Sequence, residues 1–519
     1  MNKSPFLTPL AALTLAAAVL NTGCGAAAPT SIPGSASTPN NNDASAATWR
    51  MIYLSGPTQF SVAAPSAPTS DAYRAELDAI KTAQAGLTNA QKETIQYWSV
   101  GGVVRWNQIL LEMVAKADLP PAPLPNGTYP APDVENPFAD PQYPFSNPPY
   151  SARALSYVSV AQFEALKVAW YYKYLYGRLS PSKVDSGVQA LMPTTDLPAY
   201  PSEDAVLSGV TAELLKLLFP TSVDEITRQA GEQRNAALWS GKASSSDIAT
   251  GLALGKAVAA VFTTRAAGDG MRTAGGSPAL WQSLANAATA RGEIPWKSLE
   301  LPARPPMLPL FGQVTAWMMT PTEIVAERPG PPPSTSSAQM KQELAEVKSV
   351  AENLTREQIA IAYKWADGAS TYTPPGHWNF IATDYVSNAH WSEVRAARAF
   401  ALLNMALHDA AVGCWDAKFA YFNPRPSQLD PSIKTTMGLP NFPSYTSGHS
   451  TFSAAAATVL AYLFPNGAND FNAMKEEAAI SRLYGAIHYR ADIEVGKEHG
   501  NRIGGYTVRF ARADGADAR

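Results

Sequence analysis

The sequence predicts an all-α protein. Three observations predict it: apolar residues recur at helical spacing from residue 71 onward, strict two-residue alternation is almost absent, and the prolines collect between the periodic segments. The 519 residues suffice for two or three ordinary domains or one large one. Apolar residues make up 46% and charged residues 16%, a core-forming composition too hydrophobic for a disordered chain. A net charge of −3 supplies no bulk attraction to nucleic acid or acidic lipid. The 43 prolines read as stiff connections between helices. Two cysteines, Cys24 and Cys414, exclude a disulfide framework and a cysteine-rich metal site. No apolar run beyond the N-terminus reaches the roughly 18–20 residues that span a bilayer.

The elements follow in chain order. Lys3, the apolar stretch Leu10 to Leu20 and the small residues before Cys24 form the parts of a secretory signal over residues 1–23. A cysteine directly after a small residue resembles a bacterial lipoprotein signal, which implies lipidation of Cys24. The leucine sits one place too far upstream for the usual pattern, so ordinary cleavage nearby stays open. An exported protein is expected, a periplasmic or cell-envelope lipoprotein or a secreted one, touching membrane only through that anchor. Residues 24–48 lack apolar periodicity and read as a flexible linker.

Helices are predicted over 71–85 and 87–117, around the stripe Val158, Ala161, Ala165, Val168, Ala169 and Tyr172, and over 203–218, 222–239 and 246–266. Further helices are predicted over 338–352, 355–366, 391–413, 450–464, 471–484 and 489–512. Pro-rich stretches at 119–149 and 302–335 separate the blocks. The second divides an N-terminal helical half, 49–335, from a C-terminal half, 336–519, that carries the chemistry.

All six histidines lie between His377 and His499. Three segments there carry the functional argument: KFAYFNPRP (418–426), PSYTSGHS (443–450) and SRLYGAIHYRAD (481–492). They supply the cations Lys418, Arg425 and Arg482, the histidines His449 and His488, a Ser-Gly pair and a carboxylate. A tetrahedral or trigonal-bipyramidal oxyanion needs such a set, because cations neutralise its equatorial oxygens and the arginine fork can hold two at once. The helix from Thr451 to Phe464, stopped by Pro465-Asn466-Gly467, places Ser447, Gly448 and His449 at its N-terminus, where free N–H groups point. Alone, Ser-Gly-His is a polar turn capping a helix. Arg482 and His488 are six residues apart and would not share a helix face, so a break is expected near Gly485. His488 and Asp492 then stand at i and i+4, close enough for the carboxylate to orient the imidazole. Alone, that pair reads as an ordinary surface pair.

Together, K-x6-R-P, S-G-H and S-R-x5-H-x3-D in that order resemble the signature of the superfamily that joins type 2 phosphatidic acid phosphatases, bacterial acid phosphatases and vanadium-dependent haloperoxidases. The resemblance covers residues 96–512 and is strongest from 356. It implies a multi-helix bundle of the acid phosphatase/vanadium haloperoxidase type. It implies that Lys418, Arg425, Ser447, Gly448 and Arg482 hold vanadate or phosphate and that His449 is the general acid/base. In haloperoxidases the His488 position binds vanadate axially, peroxide joins, and halide is oxidised. In phosphatases it attacks phosphorus, is oriented by the Asp492 position, and forms a phospho-histidine.

Trp415 and Phe442 look like the pocket-lining aromatics of the haloperoxidase branch. The run KWADGASTYTPPGHWN (364–379) resembles its Asp-Gly segment, by which Asp367 would hydrogen-bond His449. Two departures stand out: Asn423-Pro424 before Arg425, where an aromatic pair is usual, and Thr446 in place of proline before Ser447. The expected function is an exported haloperoxidase-like enzyme using vanadate, hydrogen peroxide and halide. The alternative is a phosphomonoesterase in the same pocket, and the third class is a non-catalytic oxyanion-binding surface protein. The partners expected are small molecules, with no nucleic acid. Of the other histidines, His408 reads as core, His377 as a loop residue of structural role, and His499 as solvated beside charged neighbours. His390 has no assignment. No His, Cys and carboxylate set has zinc spacing.

Overall fold

The computed structural model describes residues 38–133, 135 and 144–517. The signal segment 1–23, Cys24 and the first part of the linker lie outside the described residues. The described residues are helical and contain no strand. In chain order the helices are α1 (Asp71–Ala85), α2 (Asn89–Trp98), α3 (Gly102–Ala117), α4 (Pro148–Tyr176), α5 (Pro181–Val184), α6 (Glu203–Leu218), α7 (Val223–Trp239), α8 (Ser245–Ala267) and α9 (Pro278–Ala290). They continue as α10 (Pro321–Glu327), α11 (Ala338–Glu352), α12 (Arg356–Lys364), α13 (Thr373–Asn388), α14 (Glu393–Tyr421), α15 (Pro426–Leu429), α16 (Gly448–Leu463), α17 (Ala468–Tyr484) and α18 (Arg490–Arg512).

Most starts are written in the sequence. Ser70, Asn147, Ser202, Ser277, Ser337, Ser392 and Ser447 each accept a backbone N–H of the first turn. Thr88, Ser244, Thr320 and Thr355 add reciprocal capping boxes. Two helices of 29 residues, α4 and α14, are buried along most of their length and pack on each other. A helix apolar on every side belongs at the centre of a bundle, and these two form its axis. The main core runs from Ala46 to Ala516 and takes residues from both sides of the 302–335 stretch.

The structure corrects several boundaries. Residues 87–117 form two helices, because Gly101 adopts φ 115° and the Glu393 carboxylate accepts the N–H groups of Gly102 and Val103, starting α3 anew. Five helices went unread, the short α5, α10 and α15 among them; of the two longer ones, α9 begins on Pro278, and α13 carries Pro374 and Pro375 in its first turn. Proline there is a helix start rather than a break. The helix expected over 391–413 runs on to Tyr421, so Trp415 and Lys418 ride on it.

One contact positions the site. Gly496, Gly500 and Gly504 form a bare ridge on α18 that lies directly on α16. A methyl group at Gly500 would fall 2.1 Å from the Thr451 carbonyl oxygen. That closeness brings the N-termini of the two helices together, and the Ser447 N–H donates to the Asp492 carbonyl at 2.9 Å.

Candidate active site

The three cations converge at the C-terminal end of α14. Lys418 is fully buried, and its Nζ donates to the carbonyls of Pro443, Ser444 and Thr446 at 2.8, 2.8 and 2.5 Å. Arg425 donates from Nε to the Phe442 carbonyl at 3.1 Å and from Nη1 to the Ile487 carbonyl at 2.8 Å. Arg482, at the end of α17, donates from Nε to Ser481 Oγ at 2.9 Å and from Nη2 to the Trp365 carbonyl. None is ion-paired with a carboxylate among the described residues; their partners are carbonyls, a hydroxyl and His488. Burial pushes the Lys418 ammonium down to about 7; Cys414 and Asp492 oppose the push and Arg425 adds to it. Burial also lowers Arg425 and Arg482, to about 10 each, so both stay charged at neutral pH.

His488 lies among these cations. The expected break is present: α17 ends at Tyr484 with Gly485 as its C-cap, Ala486 turns through φ 56°, and α18 starts after Tyr489. His488 Nδ1 lies 2.9 Å from Asp492 Oδ2. The same carboxylate oxygen accepts from Ser444 Oγ at 2.5 Å and the Tyr489 N–H at 3.1 Å. A carboxylate on Nδ1 fixes the proton there and leaves the lone pair on Nε2. Arg425 Nη1 lies 3.0 Å from that Nε2. Burial, then Arg425, Lys418 and Arg482, hold the imidazole well below its ordinary pKa, so it is neutral. Burial raises the Asp492 carboxyl to about 6, against Ser444, Lys418, the Tyr489 N–H and Arg425.

Ser447 caps α16, with its Oγ accepting the Ser450 N–H at 3.3 Å, and Gly448 is the helix's first residue. A methyl group on Gly448 would meet nothing nearer than Phe452, at 3.8 Å. His449 follows, and its Nε2 stands 3.4 Å from Asp367 Oδ2, within ion-pair reach but without hydrogen-bond alignment. Burial and Arg482 lower His449 to about 4, with Asp367 opposing. Burial alone would raise Asp367; His377 and His449 outweigh it and hold the carboxyl well below the usual carboxylate range. Trp415 and Phe442 pack with ring centroids 5.0 Å apart and planes tilted by 50°, and Phe442 covers Lys418 and Arg425 at 5.0 and 5.1 Å.

The residues assigned to the site from the sequence between 367 and 492 are therefore gathered here; Cys24 lies outside the described residues. The two departures have places in the site. The Asn423 carbonyl accepts the Ser444 N–H at 3.0 Å, and the Thr446 carbonyl is one of the three acceptors of Lys418. Sequence reasoning missed Ser444, although it lies inside the second motif. It also missed His377, whose Nδ1 is 3.0 Å from Asp367 Oδ1. His408 is buried beside Asp409, as expected of a core residue. The solvated reading of His499 is wrong. It is fully buried against the bare Gly413 of α14, neither ring nitrogen is hydrogen-bonded, and burial lowers it to about 3. Among the described residues no group of three or more His, Cys, Asp or Glu side chains could hold a metal ion; the donor set suits an oxyanion.

These features make a buried, cation-rich site in an all-α bundle. Residues 398–513 match the family model of the PAP2 superfamily. The structure is similar to that of a protein described as the first bacterial vanadium-dependent iodoperoxidase, with TM-score 0.55 and 23% identity over 78% of this chain and 96% of that one. It is also similar to a bacterial vanadium-dependent chloroperoxidase. The holo form gives TM-score 0.50 and 14% identity over 74% of this chain and 96% of the other; the apo form gives 0.50 and 13% over 70% and 94%. No curated protein matches the sequence. The matched segment bears all three motifs, and the chain has a helical fold similar to that of the vanadium haloperoxidases.

Proposed function

We propose that the protein is an exported vanadium-dependent haloperoxidase that takes vanadate as cofactor and hydrogen peroxide and halide as substrates. The observation that carries this reading is the set of three buried cations, Lys418, Arg425 and Arg482, with no carboxylate ion-paired to any of them among the described residues. Buried charge of one sign is costly, and an anion with several acceptor oxygens offsets that cost. His488 Nε2 carries the lone pair that would hold the bound group, and Asp492 keeps the proton on Nδ1. Vanadate fits this donor set, and when bound it supplies the centre at which peroxide is activated and halide oxidised.

The chain's own residues do the rest. Lys418, Arg425 and Arg482 neutralise the anion, and Ser447 and Gly448 offer it the start of α16. His449 holds or moves a proton at the ring nitrogen turned away from Asp367, whose charge raises its basicity. Trp415 and Phe442 keep water from the cations. Support over the phosphatase reading comes from extent: the likeness to haloperoxidases spans 78% of the chain, far beyond residues 398–513, and Asp367 lies upstream of that segment. Export rests on the signal-like N-terminus, and mass spectrometry of the native N-terminus tests acylation of Cys24.

The test is a titration of orthovanadate into purified, phosphate-stripped protein, with dye bromination followed in peroxide and bromide. Turnover that saturates at one vanadate per chain and vanishes in His488→Ala is expected. Vanadate binding without bromination, together with hydrolysis of a phosphate monoester, would replace this reading by the phosphomonoesterase. Binding with neither activity would leave a non-catalytic oxyanion-binding protein.

A further inference from the structure

Two histidines share one buried carboxylate. Asp367 Oδ1 lies 3.0 Å from His377 Nδ1, and Oδ2 lies 3.4 Å from His449 Nε2. The side chains of His377, Asp367 and His449 are 8%, 2% and 15% exposed, so the row lies inside the protein. His377 is itself fixed from behind. Its ring stacks on Trp365, with centroids 4.4 Å apart and planes 24° apart. The Trp365 indole N–H donates to Glu477 Oε1 at 2.8 Å, and the Trp365 carbonyl accepts from Arg482. The short segment 365–367 therefore joins the His449 pair to one of the cage cations. Asp367 occupies the left-handed region, φ 45°, which a residue with a side chain takes only when its surroundings hold it there.

A carboxylate can turn about its last bond, and a long contact such as that to His449 does not stop it. A donor on the other oxygen does. We infer that His377 is a positioning residue for proton transfer at His449: its Nδ1–H binds Asp367 Oδ1, stops the carboxylate from rotating, and so aims Oδ2 at His449. The inference rests on His449 being the general acid/base, a role common to the haloperoxidase and phosphatase readings.

The groups facing this row come from three other places. Arg482 and Glu477 face it from α17, Asp118 from the end of α3, and Tyr372 from the turn before α13. Burial and the charge on Asp367 raise Asp118 to about 8 and Tyr372 to about 12, so neither carries a competing charge at neutral pH. With the His377 donor removed, Asp367 is less well aimed, and His449 loses part of the contact that raises its basicity. His377 itself lowers His449, but by less than Asp367 raises it.

The test compares His377→Ala with His377→Asn, whose amide N–H replaces Nδ1–H. The full chain is saturated with inorganic phosphate, and His449 is titrated by 15N NMR of labelled histidine side chains, a readout that needs no turnover. Phosphate affinity is measured by calorimetry, and kcat and KM in whichever reaction the wild type performs. In His377→Ala the His449 titration is expected to move to lower pH and kcat to fall about tenfold, with phosphate affinity within about twofold. His377→Asn is expected to restore the titration and most of kcat. Should His377→Ala not fold, His377→Gln replaces it, since its amide reaches the Nε2 position and not the Nδ1 position. An unmoved titration, an asparagine variant no better than the other, or a loss of phosphate affinity as large as the loss of kcat would each overturn the inference. A wild type without turnover would overturn the functional reading alone, because the NMR comparison would still decide the role of His377.

Discussion

Asp492 and Asp367 each stand beside a histidine, yet their environments give them different work. Asp492 fixes the proton of His488 from within the cage and takes three hydrogen-bond donors on one oxygen. Asp367 stands behind His449, which is itself 15% exposed at its side chain. Asp492→Asn is therefore expected to cost oxyanion affinity about tenfold to a hundredfold, because the amide no longer fixes His488 as a ligand. Asp367→Asn is expected to cut kcat by at least about tenfold and leave affinity within about twofold. Calorimetry with phosphate beside steady-state kinetics separates the two, and equal loss of affinity in both variants would count against the assignment. The cations and both site histidines were legible because motif spacing carries them. Ser444 and His377 were not, because their contacts depend on the backbone path. Residues 443–446 wrap around Lys418 and so set Ser444 on Asp492, and the left-handed turn at Asp367 brings His377 back onto its carboxylate. His499 was misread because Lys497, Glu498 and Arg502 surround it in sequence while its own face turns toward α14.

At the scale of the element, the glycine ridge of α18 fixes the distance between His449 and His488. Gly500→Ala would drive a methyl group into the Thr451 carbonyl, and Gly505→Ala, near the surface, would meet only Arg509 Nη1 at 3.5 Å. The first is expected to destabilise by about 1–3 kcal/mol, the cost of overpacking, and to weaken oxyanion binding as the helix starts part. The second is expected to stabilise by about 0.5–1 kcal/mol. Chemical denaturation measures both, and equal effects would remove the ridge from the account. Helix periodicity made most elements legible in sequence. It could not show the break at Gly101, because the cause is Glu393, nearly three hundred residues away, supplying the cap for α3. Nor could it show α13, whose first turn carries two prolines that read as loop.

For the molecule as a whole, the cage couples folding, pH and ligand. The fold must keep Lys418, Arg425 and Arg482 out of water with carbonyls as their main acceptors, so an anion that binds only the folded state stabilises it. At a hundredfold excess over Kd the gain is about 2.7 kcal/mol. The sign of its pH dependence follows from two groups. Lys418 titrates near 7, so its charge, and its pull on an anion, fade as pH rises through that value. Asp492 titrates near 6, so on the acid side of that value it no longer fixes the Nδ1 proton of His488, and affinity is lost there too. The two groups together place the strongest binding near pH 6, and Lys418 alone sets the fall above it. Without ligand, the depressed Lys418 favours the fold less below 7 than above it, and the raised Asp492 loses stability as pH climbs from its unfolded value toward 6. Sulfate serves as the probe, because its charge is constant over this range. Its affinity, and the rise in Tm it produces, are expected to be greatest near pH 6 and to fall toward pH 8. Lys418→Met is expected to bind sulfate weakly and to flatten that fall. Calorimetry and thermal melts at matched ionic strength measure both. A wild type whose sulfate affinity does not change between pH 6 and 8 would mean that Lys418 keeps its charge throughout, and that carbonyl oxygens alone suffice to hold it.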